Sequence, residues 1–152
     1  MNRELVRLDL RIIRGVRVIS PTLSRIALFV VFFWFGILKV FGLSPANPLV
    51  SALMERTMPF MTFDIFIVGF GLFEALIGIL FLIPRTERIV FPLLGFHMIT
   101  TIMPMFLLPT VAWSGFLVPT MEGQYMIKNI VIIALAMAMA ADMHAWKEEK
   151  KR

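Results

Sequence analysis

The sequence predicts an all-α, membrane-spanning four-helix bundle with a basic amphipathic N-terminal segment and both termini in the cytoplasm. Hydrophobic residues make up 59% of the 152-residue chain and charged residues only 16%, a more apolar balance than soluble domains have. Four runs approach the ~20 apolar residues that cross a ~30 Å hydrocarbon core. Basic residues concentrate at the two ends and in one connection, as the positive-inside rule predicts for a multi-pass protein.

The four predicted spans divide the chain into three parts. Backbone polar groups have no water to bind inside a bilayer, so each apolar run is expected to be a helix. The spans are about 26–43, 63–83, 89–112 and 125–145. The domain organisation is therefore a basic amphipathic segment (1–21), a four-helix transmembrane domain (22–146) and a basic C-terminal tail (147–152).

The N-terminal segment mixes arginines with apolar residues in LVRLDLRIIRGVRVIS (5–20). One interpretation is an interfacial helix lying on the cytoplasmic leaflet. The alternative is a partly disordered basic leader that only fixes topology. With PRTER (84–88) and the tail KEEKKR (147–152), these charges predict cytoplasmic termini. A multi-pass protein of a bacterial inner membrane is expected, and the net charge of +5 points to anionic lipid, not to nucleic acid.

The outer connections carry apolar residues of their own. In 44–62, Leu49, Val50, Leu53 and Met54 follow helical spacing between prolines, which predicts a short outer helix. The loop WSGFLVPTMEGQ (113–124) either covers the outer mouth of the bundle or lies at the interface, as aromatic belts do.

Each predicted span carries a polar side chain, and such residues usually face the bundle interior and find partners. Helical spacing aligns Glu74 with Gly71 and Gly78, and Lys39 with Gly36. Small residues permit close helix contact. We therefore predict a polar seam in the outer half of the bundle, in which Glu74 pairs with one lysine. Its members are Lys39, Glu74, His97, Thr100, Thr101, Lys128 and Asn129.

The seam has a functional interpretation, a ligand site, and a structural one, a buried ion pair that fixes helix register. Lys39 alone could instead be an anchor that reaches the outer surface, and His97 a core histidine with satisfied hydrogen bonds. The chain has no cysteine and two histidines, so no haem, iron–sulfur or zinc site is expected within it alone. The methionines show no Cu(I) cluster, and no metal site is predicted.

Three segments resemble the DoxX/DoxD family of small bacterial membrane proteins. They are FWFGILKVFG with Lys39, GLFEALIGIL with Glu74, and IKNIVIIALAM with Lys128 and Asn129. The resemblance covers about residues 22–145. The resemblance implies a four-helix membrane fold and an association with redox physiology. Members of the family are linked to thiosulfate:quinone oxidoreduction and to oxidative-stress complexes. The extended basic N-terminus goes beyond what that family's core requires.

The leading hypothesis is a redox- or respiration-associated subunit whose seam, near Phe32, Phe35 and Phe73, binds quinone or another small ligand. Whether it is an enzyme stays open. The alternative is a non-catalytic accessory subunit of a larger membrane complex, and a small transporter is a further one. Expected partners are the lipid bilayer and other membrane subunits or a second copy of the chain.

Overall fold

The computed structural model describes residues 3–141 and residue 143, and this part of the chain is mostly helical. His144, the basic tail and the predicted end of the fourth span lie outside the described residues. The helices are α1 (Arg3–Val40), α2 (Asn47–Thr57), α3 (Phe63–Leu82), α4 (Glu87–Ile102), α5 (Pro104–Leu107), α6 (Pro109–Ala112) and α7 (Met121–Ala141). Two short strands, β1 (Trp113–Gly115) and β2 (Val118–Pro119), form an antiparallel hairpin.

Four helical stretches are long and apolar enough to cross a membrane: α1, α3, the run Glu87–Leu107 formed by α4 and α5, and α7. They confirm the prediction of a mostly helical chain with four helices able to span a membrane. Large hydrophobic side chains remain exposed on their outer faces, among them Trp34, Phe96 and Val131. In a bilayer these faces would contact the lipid acyl chains, which are themselves apolar.

Helix α1 includes both the basic segment and the first span. Pro21 lies inside this helix without ending it, and the whole helix is 38 residues long. It ends where Gly42 adopts a left-handed conformation (φ 71°) and the amide of Leu43 donates to the carbonyl of Leu38 at 2.8 Å. This closure satisfies carbonyls at the end of the helix, and glycine adopts that conformation without steric cost.

The third span ends earlier than predicted, and the loop after it contains strands. Helix α4 stops at Ile102, and short helices start at Pro104 and Pro109. Proline lacks the amide hydrogen that would continue a helix but is well accommodated in a first turn, and Pro104 and Pro109 each begin a new helix. In the hairpin, Leu117 has a positive φ of 57° at the turn. The short helix predicted within 44–62 is confirmed as α2, whose Met54 is buried.

The most extensive helix contact joins α1 to α3, which run antiparallel. A hypothetical Cβ on Gly36 would lie 2.6 Å from both the Gly71 carbonyl oxygen and the Ala75 amide nitrogen. A hypothetical Cβ on Gly78 would lie at the same distance from the Phe33 amide nitrogen. The backbones therefore touch, as the small residues predicted. Beside this contact is a core contributed by all four spans: Leu28, Phe32, Ile77, Phe81, Val90, Leu94, Met98 and Ala136.

Arg25 connects three helices at the end of the bundle opposite to the C-terminus of α1. Arg25 binds Glu87, the first residue of α4, and also donates to the Phe81 carbonyl at 3.2 Å. Both side chains are partly exposed. The contact ties the start of the first span to the turn between α3 and α4.

Candidate functional site

Lys39 and Glu74 form a buried ion pair between α1 and α3. The Nζ atom of Lys39 donates to Oε2 of Glu74, and each residue is only 6% exposed. The ammonium also lies 5.6 Å from the centre of the Phe70 ring, within the range of a cation–π contact. Lys39 therefore belongs to the interior and is not a surface anchor.

The close approach of the helices places these two side chains together. Gly71 lies against Gly36 and against the Cβ atom of Lys39, since a Cβ on Gly71 would come within 2.9 Å of that atom. Side chains tilt toward the N-terminus of their own helix. Because α1 and α3 are antiparallel, Lys39 and Glu74 lean toward each other along the helix axes.

His97 of α4 completes the cluster from the other side of Glu74. Its Nε2 atom lies 3.3 Å from Oε1 of Glu74, so the two carboxylate oxygens contact two different helices. His97 is only 1% exposed. We call Lys39, Glu74 and His97 the polar cluster.

Aromatic rings surround the imidazole of His97. Ring centroids of Phe70, Phe32 and Phe73 lie 5.2, 5.5 and 6.2 Å away. Phe70 stacks on the imidazole, and Phe32 meets it edge-on. Such rings are apolar and shield the charges of the cluster from water, which strengthens the electrostatic interactions among them.

One hydrogen-bonding atom of the cluster is left over. The Nδ1 atom of His97 is buried and has no hydrogen-bond partner among the described residues. Buried polar atoms are usually paired, so an exception invites a functional explanation. In the neutral imidazole, the nitrogen that faces the carboxylate, Nε2, carries the hydrogen, and Nδ1 is then an acceptor without a donor.

Thr100 and Thr101 support the backbone of His97 and do not reach Glu74. Both hydroxyls donate to the His97 carbonyl oxygen, at 2.7 and 2.5 Å. Threonine often bonds this way to a carbonyl three or four residues earlier in a helix. The two residues therefore stand next to the cluster without touching its charges.

Lys128 lies outside the cluster, which corrects the prediction that it faces the seam. It is exposed, and its Nζ atom lies 5.1 Å from the centre of the Tyr125 ring on the same helix. Helical spacing aligned Tyr125 and Lys128, but it is the face with Gly123, Met126 and Ala136 that α7 buries. Asn129, half-buried, lies toward that packed side.

Two further residues change the predicted surroundings. Phe35 is exposed by 44% and faces away from the cluster. Phe70 takes its place in contact with both Lys39 and His97, and the sequence interpretation missed it. The signal was available: Phe70 precedes Glu74 by four residues and so shares its helix face.

A groove of about 570 Å³ runs between α4 and α7, and the cluster does not line it. Its walls are apolar and include Leu94, Met98, Ile133 and Met137. It lies on a different face of α4 from the side chain of His97. Within residues 3–141, no three histidine, aspartate or glutamate side chains gather as a metal site would require.

No protein-family model, curated protein or solved structure matches the chain. The resemblance to the DoxX/DoxD family therefore stays a prediction.

Proposed function

We propose that the protein is a redox- or respiration-associated subunit of a bacterial inner membrane, with DoxX-like architecture, and that its polar cluster binds a quinol-type ligand. The observation that carries the proposal is the buried, unpaired Nδ1 atom of His97. It stands beside an ion pair that lies inside an apolar helix bundle. Ionisable groups at such depth are costly and usually functional.

The free nitrogen sets the chemistry of the ligand. An acceptor enclosed by the apolar rings of Phe32, Phe70 and Phe73 favours a ligand that is apolar apart from a hydroxyl donor. A quinol headgroup offers both features. When bound, such a group would supply electrons to a redox partner and protons to the polar cluster.

The residues of the cluster form a short proton path. A proton accepted at Nδ1 of His97 can leave from Nε2, which lies 3.3 Å from the Glu74 carboxylate. Lys39 holds the other carboxylate oxygen and so fixes the orientation of Glu74. In this scheme His97 and Glu74 exchange protons, and Lys39 is a positioning residue.

Orientation follows from the distribution of charge. Because the number of spans is even, the N-terminal end of α1 and the C-terminal end of α7 lie at the same membrane face, together with the turn between α3 and α4. The arginines of α1, Arg85 in that turn and Arg88 at the start of α4 lie toward this face. The positive-inside rule makes it the cytoplasmic one.

The proposal is tested by the ligand that the protein carries from native membranes. Wild type, His97→Phe and Lys128→Gln are purified in mild detergent, and quinones are extracted and quantified per protein. Phenylalanine keeps an aromatic ring among the others but removes the acceptor. We expect quinone in wild type and in the matched control Lys128→Gln, and at least tenfold less in a folded His97→Phe protein. Wild-type protein without quinone, or equal amounts in all three, would contradict the proposal.

A second candidate, a non-catalytic accessory subunit, is favoured by the position of Lys128. This lysine is exposed on α7, about 10 Å along the helix from its first residue, Met121. Only 11% of the apolar window of α7 is buried. A charge that faces outward at this depth is more easily accommodated by a protein partner than by lipid.

Native gels of solubilised membranes test this alternative. If Lys128 contacts a partner, Lys128→Leu shifts the protein from a larger assembly to a smaller species, while Lys128→Arg, which keeps the charge, leaves the larger assembly in place. A wild-type protein that migrates as a monomer would rule the accessory function out.

A further inference from the structure

Helix α1 is longer than a membrane span requires, and its first half is the excess. At 1.5 Å per residue, its 38 residues measure about 57 Å, whereas a hydrocarbon core takes about 20 residues. Roughly 18 residues therefore lie beyond the core on the side of Arg25. Most of their side chains are exposed, so no described part of the chain covers them.

Two stripes run along this segment on opposite faces. At about 100° per residue, the arginines fall within an arc of roughly 120°; they are Arg3, Arg7, Arg11, Arg14 and Arg17. The opposite face carries an apolar stripe whose members are each exposed by 54–61%: Leu5, Leu8, Ile12, Val16, Ile19 and Leu23. An apolar stripe this exposed is stable only against another apolar phase.

Both stripes continue into the membrane span. The apolar stripe leads on to Ile26, Val30 and Trp34, which are exposed on the lipid-facing side of α1. The arginine stripe leads on to Arg25, which binds Glu87, and then to the buried Leu28. The apolar stripe therefore points toward the surrounding lipid and the arginines toward the axis of the bundle.

Pro21 determines the direction in which this helix can bend. It is seven residues from both Arg14 and Leu28, so it lies on the bundle side of α1. A proline inside a helix clashes with the preceding turn and opens the helix on its own side. A bend at Pro21 would therefore carry the preceding segment away from the bundle and turn the apolar stripe toward the bilayer surface.

We propose that residues 3–20 form a surface-lying helix that binds the anionic leaflet from which α1 emerges. The apolar stripe inserts among the acyl chains near the headgroups, as amphipathic helices do. Arginines at the edges of the polar face, such as Arg11 and Arg17, reach anionic phosphates. The occupant of this face is a phospholipid surface of negative charge, since the arginine stripe complements it.

The absence of cysteine from the sequence makes a clean labelling experiment available. Single cysteines are introduced at Ile12 or Ile19 on the apolar stripe, and at Leu10 or Val18, which are apolar residues on the arginine side. Each full-length variant carries a fluorophore and is reconstituted into phosphatidylcholine vesicles with or without phosphatidylglycerol. Quenching by lipid-borne and by aqueous quenchers is compared.

With phosphatidylglycerol, we expect labels at Ile12 and Ile19 to be quenched severalfold more by the lipid-borne quencher than labels at Leu10 and Val18, and the aqueous quencher to show the reverse. Replacing Arg7, Arg11 and Arg14 by glutamine should reduce this contrast. Aqueous quenching on both faces would overturn the proposal, because the helix would then project into water. Shielding of both faces would overturn it in favour of a protein partner. Equal contrast in uncharged vesicles would overturn the anionic specificity.

Discussion

Lys39 and Glu74 meet inside the bundle because each side chain leans toward the other from antiparallel helices whose backbones touch. The contact is buried on both sides, and His97 shares the carboxylate. The pair is thus held by helix geometry, not by a local turn. Its stability and its chemistry both depend on the small residues of the α1–α3 contact.

Breaking the pair from one side should be costly. Lys39→Met leaves the Glu74 carboxylate buried without its cation, and we expect a loss of about 3–5 kcal/mol in the free energy of unfolding. Denaturant titration in detergent micelles measures it. The double variant Lys39→Met/Glu74→Gln removes both charges and should recover most of the loss.

Arg25→Met is the matched control for that measurement. Its side chain and that of Glu87 are 27% and 20% exposed, so removing this pair should cost only about 0–1 kcal/mol. Equal losses for Lys39→Met and Arg25→Met would show that burial does not set the strength of the first pair.

The backbone contact of α1 and α3 makes a separate prediction. Gly36→Ala places a methyl group where the α3 backbone lies at 2.6 Å, and such overpacking costs about 1–3 kcal/mol. Gly69→Ala meets nothing within 4 Å and should be neutral or stabilising, because alanine favours a helix. Thermal unfolding of both variants checks this. A Gly36→Ala protein as stable as Gly69→Ala would contradict the close contact.

The protonation site of the imidazole can be observed directly. With two histidines in the chain, ¹⁵N spectra of labelled protein contain few imidazole signals, and His97→Phe assigns them. We expect the neutral tautomer of His97 with hydrogen on Nε2, because that atom faces the Glu74 carboxylate. A tautomer with hydrogen on Nδ1 alone would contradict the proposal that Nδ1 accepts a hydrogen bond from the ligand.

The two lysines of the predicted seam should behave differently. Lys128 is exposed and Lys39 is buried, so Lys128→Leu should change the free energy of unfolding by less than about 0.5 kcal/mol. Lys39→Leu should be as harmful as Lys39→Met. A large loss for Lys128→Leu would indicate that Lys128 turns inward.

The sequence predicted the apolar helices, the glycine contact and the polar residues Lys39, Glu74 and His97 because burial in lipid leaves strong periodic patterns. It placed Lys128 wrongly because the spacing of Tyr125 and Lys128 shows that they share a face but not which face α7 buries. The β1–β2 hairpin escaped prediction because its strands are two and three residues long. Such short strands depend on their neighbours and leave no alternating pattern.

Quinol turnover in native membranes tests the central claim most directly. Membranes containing wild type, Glu74→Gln or Lys128→Gln at equal protein levels are compared for the rate of quinol oxidation. Glutamine keeps the size of the side chain but cannot exchange a proton, so we predict at least a tenfold lower rate for Glu74→Gln and an unchanged rate for Lys128→Gln. A folded Glu74→Gln protein that supports the wild-type rate would contradict the proposed function of the cluster.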